Sequence, residues 1–132
     1  MDISVNTTSV SNQHSACLVV GIFERRKLTS TAVELDSATN GYLSSILKKG
    51  DMDGKLGQTL LLHEVEAIPA QRVLLVGCGK ENEFKIRQYK KILTAAVKSL
   101  REYNVRDAVF YLTDLNVKQL NHAQRIKLAA QS

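Results

Sequence analysis

Two uninterrupted apolar runs constrain the fold of this chain more than any other feature. Residues 16–22 read ACLVVGI and residues 73–76 read VLLV. A strand with one wet face alternates apolar and polar side chains. A run with no polar position suits a strand covered on both faces, in a parallel or mixed sheet flanked by helices. The second run stops at Gly77-Cys78-Gly79, and helix-like spacing follows each run, so the pattern points to an α/β fold.

The rest of the chain fits around these two strands. Residues 3–5 (ISV) alternate weakly and predict an edge-like first strand. Ala32, Leu35, Tyr42, Leu43, Ile46 and Leu47 fall three to four apart, broken at Asn40-Gly41, which predicts one or two short helices. Lys48 and Lys49 suit the last turn of that segment, with Gly50 as its stop. Residues 50–57 (GDMDGKLG) read as a loop, 57–65 (GQTLLLHEV) as a strand, and 67–71, containing Pro69, as a connection. Residues 72–76 are the second buried strand, 85–103 a long helix, 108–112 (AVFYL) a strand and 118–131 another helix. The expected architecture is a mixed, largely parallel sheet with helices on both faces. With 132 residues, one Pro and seven Gly, residues 1–132 read as a single domain able to bury a core without staples. The last helical pattern runs to Ser132 without a stop, which leads us to expect that the natural protein continues beyond it.

The segment VGCGKENE, 76–83, has the look of a strand feeding a phosphate-binding glycine loop. The nucleotide-hydrolase loop needs G-x-x-x-x-G-K-[ST], but the position of its second glycine holds Asn82, and Glu81 follows Lys80. The dinucleotide fingerprint G-x-G-x-x-G keeps Gly77 and Gly79 and again fails at Asn82. Glu81 and Glu83 would also compete with an incoming phosphate. Gly77 and Gly79 are therefore read as a sharp turn off a buried strand.

Other constellations are equally sparse. His14, His63 and His122 share no ligand-like spacing, and Asp51-x-Asp53-Gly54 matches a calcium loop for two positions before failing. Cys17 and Cys78 lie in apolar context and read as reduced core thiols of a cytosolic protein. Beyond Lys80, no basic residue at a defined spacing supports Cys78 as a nucleophile. MDISVNTTSV lacks the features of a signal peptide, and the longest apolar run is too short to span a bilayer. The expectations are a cytoplasmic protein with no membrane partner and with no catalytic, metal or cofactor-binding residue in this chain.

The predicted 85–103 helix carries the most informative surface. Ile86, Tyr89, Leu93, Ala96, Val97, Leu100 and Tyr103 form its expected core face. Arg87, Lys91, Lys98 and Arg101, with Lys90 close by, line the opposite face. The chain's formal net charge of +5 is mildly basic. The stripe can be read as a solvated face or as a nucleic-acid backbone contact, and few exposed aromatics accompany it to stack bases.

Three stretches carry a family resemblance: SACLVVGIFE (15–24), LDSATNGYLSSILKKGDMDGKLGQTLLLHEV (35–65) and RVLLVGCGKENEFKIRQYKKIL (72–93). Together they resemble the amino-terminal domain of bacterial cytosolic leucyl aminopeptidases. The resemblance covers residues 15 to about 117, with the pieces in order. It implies a macro-domain-like α/β unit joined to a carboxy-terminal catalytic domain, in a homohexamer that releases amino-terminal residues, preferably leucine, from peptides. It implies two divalent metals, manganese or zinc, held in that other domain around an N-T-D-A-E-G-R-L stretch that this chain lacks. This chain would then support hexamer assembly and active-site access. Some bacterial members of the family are described as DNA-binding, so DNA contact through Arg87, Lys90, Lys91, Lys98 and Arg101 is the alternative role.

Overall fold

A computed structural model describes residues 2–5 and 9–112. The expected 118–131 helix and His122 lie outside the described residues. Six strands form one sheet: β1 Asp2–Val5, β2 Cys17–Phe23, β3 Lys27–Leu28, β4 Thr59–His63, β5 Arg72–Gly79 and β6 Asp107–Phe110. The order is β1-β6-β2-β5-β4, with β3 paired to β2 off this path. β1–β6, β6–β2 and β2–β5 are parallel; β4–β5 and β2–β3 are antiparallel. The sheet is mixed and largely parallel, as the two apolar runs require.

Every residue of β2 is buried, and its side chains alternate between two cores. Leu18, Val20 and Ile22 pack with Ala32, Leu35, Leu43, Ile46 and Leu47, from helices α1 Ser30–Ala38 and α2 Tyr42–Lys48. Cys17, Val19 and Phe23 pack with Tyr89, Ile92, Leu93 and Ala96, from helix α3 Ile86–Glu102. Val73 and Leu75 of β5 join the first core; Leu74, Val76 and Cys78 join the second. The period-2 alternation of a strand serves two apolar layers, and for that reason no polar residue interrupts either run.

The helix boundaries have local causes. Thr29 caps α1 by accepting the Ala32 N–H at 3.3 Å, while its own hydroxyl donates to Gly21 O at 2.9 Å. Asn40 and Gly41 break the helical run with φ of 57° and 81°, and Asp36 accepts both the N–H and the hydroxyl of Ser44 to fix the corner. At the start of α3, Gln88 reaches back to accept the Lys85 N–H at 3.1 Å.

The structure corrects two expectations. First, Gly77-Cys78-Gly79 is not a turn, because β5 continues through it to Gly79. The ladder pairs Ile22 with Gly77 and Phe23 with Gly79, leaving Cys78 as a bulge. Second, Tyr103 is not core. It follows the last helical residue of α3 and is 51% exposed, edge-on to His63 at 6.5 Å, while Ile92 closes the buried face that the sequence reading left to its neighbours.

Candidate functional site

Gly77 sits where the loop before β4 crosses the end of β5. A Cβ there would lie 1.9 Å from Lys55 O, so only glycine fits this approach. The Gly77 N–H donates to Gln58 O at 2.6 Å, Gly57 N–H to Gly77 O at 2.9 Å, and Gly79 N–H to Gly54 O at 2.9 Å. Gly79 has a φ of 75°, and the chain leaves the strand just beyond it. The Gly77 and Gly79 amides, which a phosphate would need, are thus bonded to the chain itself. Three successive N–H groups of the crossing loop, those of Asp53, Gly54 and Lys55, converge on Gln58 Oε1 at 3.0, 3.1 and 3.3 Å. Such a nest can hold an anion, and here the Gln58 amide oxygen fills it. Sequence reasoning missed the role of Gln58; its only signal was its place in GKLGQ.

The five cations of the basic stripe are all exposed on α3. At about 100° per residue, Arg87, Lys90, Lys91, Lys98 and Arg101 fall within roughly a 100° sector, and the two arginines are about 21 Å apart along the axis. Lys90, Lys91 and Lys98 also rim a depression of about 550 Å³ whose other walls are Leu56, Gly57, Thr94 and Ala95. The structure therefore brings three of the five together against the glycine crossing and sets Arg87 and Arg101 at the ends. Thr94 turns its hydroxyl back to Lys90 O at 3.1 Å. Among the described residues the ion pairs are Lys27–Glu81 and Lys80–Glu83, and neither draws on the stripe.

No group of three or more His, Cys, Asp or Glu could hold a metal ion among the described residues. His14 and His63 are exposed. Cys17 and Cys78 are buried and outside any disulfide. Burial pushes the Cys17 thiol up to about 11, against a smaller lowering by Arg72, which leaves it protonated and unreactive at neutral pH. Burial likewise raises Tyr111 to about 12, with Glu34 adding to it. No helix among the described residues is long and apolar enough to cross a membrane.

Glu24-Arg25-Arg26, which links β2 to β3, was not singled out by its sequence. Arg25 and Arg26 both have left-handed backbone, with φ of 63° and 60°. Three successive charged residues following a buried strand were the available signal.

Comparison with known proteins gives the context of this geometry. Residues 19–132 match the family model described as "Cytosol aminopeptidase family, N-terminal domain". A probable cytosol aminopeptidase of Pseudoalteromonas atlantica is 48% identical over 132 residues, which is all of this chain and 26% of that protein. The chain thus spans about a quarter of the length of the curated relatives it matches. Among solved structures, the K354E mutant of tomato leucine aminopeptidase superposes with a TM-score of 0.67 at 24% identity, over 99% of this chain and 27% of that one. The macrodomain of Mycobacterium tuberculosis DarG superposes with a TM-score of 0.68 at 13% identity, over 98% of this chain and 90% of that one. These two likenesses establish a fold shared with macrodomains.

Proposed function

The chain belongs to the cytosol aminopeptidase family, matching its N-terminal domain, and on that premise we propose that residues 1–132 are the non-catalytic amino-terminal domain of a longer leucyl aminopeptidase. One observation carries the reading: the whole chain aligns, at 48% identity, to only 26% of a probable aminopeptidase. The remaining three quarters would supply the catalytic domain. Peptide hydrolysis by a two-metal site needs a cluster of carboxylate and other ligands to activate water and steady the developing charge. The described residues do not fit that demand, so zinc or manganese belongs, in this reading, to the other domain. The role left to this domain is to support a homohexamer and to shape access to the catalytic site, in the cytosol.

The direct test is an assay of the purified 132-residue chain on a leucyl anilide with manganese or zinc added. The expected result is a folded protein that releases no leucine. Metal-dependent release by the pure chain would overturn the reading.

A second reading is favoured by the five exposed cations on one face of α3: a DNA-contacting module. If about four phosphates are contacted, log affinity should fall against log salt with a slope of roughly −3.6. Repetition of the stripe in an oligomer would strengthen individually weak contacts.

A further inference from the structure

β2 and β5 are adjacent parallel strands, and both loops that leave their carboxyl ends carry charge. Between Glu24–Arg26 and Glu81–Glu83 lies a cavity of about 480 Å³ lined by Glu24, Arg25, Lys27, Lys80, Glu81 and Asn82. Open α/β sheets hold ligands outside this end of their strands; here the pocket is open, and of its lining only Glu24 is not exposed. The lining has both signs of charge. Lys27 and Glu81 neutralise each other in an ion pair. Lys80 lies 3.7 Å from Glu83, with both side chains more than half exposed, so that pairing is easily exchanged. Arg25 is in no ion pair among the described residues. What remains on offer is a cationic pair, Arg25 and Lys80, and the carboxylate of Glu24.

The backbone gives an independent indication. Left-handed φ costs free energy for any residue with a Cβ, and glycine or asparagine takes it more cheaply. Here two successive arginines adopt it. The turn has little freedom to relax. Phe23 before it is buried with its ring edge-on to Phe84 at 5.9 Å, and Phe23 pairs with Lys27 across the hairpin. The side chain that this strained turn carries lines the cavity.

We propose that this cavity binds a small zwitterion, an α-amino acid, with its carboxylate on Arg25 and Lys80 and its ammonium against Glu24. The fork of Arg25 matches a carboxylate in a bidentate pair. A phosphate dianion would meet Glu24 as well as the cations, and a simple carboxylate would leave Glu24 unanswered. The site stands on this cavity's own residues and does not depend on the peptidase reading.

The test is a titration of the ¹⁵N-labelled 132-residue chain at millimolar concentrations with three probes, read from amide shifts. The probes are leucine, isocaproate (the same skeleton without the ammonium) and inorganic phosphate. Leucine is expected to shift the amides of residues 24–27 and 80–82 saturably and more tightly than either other probe. Arg25→Gln should weaken leucine roughly tenfold or more. Arg25→Gly should weaken it as much while raising the melting temperature, because glycine accepts this φ without strain. No saturable leucine shift, equal or tighter binding of isocaproate or phosphate, or undiminished leucine binding in Arg25→Gln would each overturn the proposal.

Discussion

Gly77 is the residue with the least freedom to change. A methyl group there would sit 1.9 Å from Lys55 O, against backbone that is itself hydrogen-bonded to Gly77 on both sides. Relief requires moving either β5 or the crossing loop, so Gly77→Ala should destabilise the protein by about 1–3 kcal/mol or more, read from urea unfolding midpoints. Gly41, by contrast, has open space around it, and the strain of its φ of 81° would set the cost of an alanine there. Cys17 sets a pH dependence at the same scale. Its folded pKa is raised from 9.0 to about 11, chiefly by burial, so between those values the native state holds a proton that the unfolded chain has lost. The stabilisation is complete below about pH 9 and is lost as pH rises toward about 11, by an amount of order 2–3 kcal/mol at most. Tyr111, raised from 10.0 to about 12, adds a loss of the same sign that overlaps the upper half of that window and extends beyond it. Unfolding titrations of Cys17→Ala should show a shallower alkaline decline than the parent; an identical slope would mean that Cys17 is not responsible.

Helix α3 separates two kinds of information within one element. Its inner face follows from the 3.6-residue period, and the structure buries Tyr89, Leu93, Ala96, Val97 and Leu100 where the spacing puts them. Ile92 was missed because a globular helix buries a face broader than one row of residues, and Tyr103 was misplaced because the helix ends one residue earlier. The outer face was legible as a charge stripe, but its partner was not, because exposed lysines serve solvation and phosphate contact equally well. Exchange of sign separates the two. In Lys91→Glu/Lys98→Glu, any DNA binding measured by anisotropy at low salt should vanish while thermal stability stays nearly unchanged. Unchanged DNA binding would reject the stripe as the contact surface. The strand ends were the harder elements to read. Gly77-Cys78-Gly79 had the composition of a turn, yet the strand runs on because the 54–58 loop supplies it with backbone partners. That pairing is non-local and leaves no period in the sequence. The same holds for the Arg25 turn, whose cavity exists only once β2 and β5 lie side by side.

At the scale of the whole molecule, the α/β architecture was legible because two uninterrupted apolar runs leave few alternatives to a doubly covered sheet. Strand order was not, since it depends on which edges meet after crossovers have closed. The family came from specific stretches such as GQTLLLH and LLVGCGKE rather than from periodicity. The described residues offer two apolar cores and a charged surface. A domain that matches a quarter of a peptidase over its full length makes sense as a part of one. The most direct measurement is to read the gene beyond the Ser132 codon. We expect an open frame of roughly three further lengths of this chain, in proportion to its share of the relatives, containing the carboxylate-rich metal-ligand segment that this chain lacks. A stop codon immediately after Ser132 would contradict the reading and leave this domain as a stand-alone binding protein.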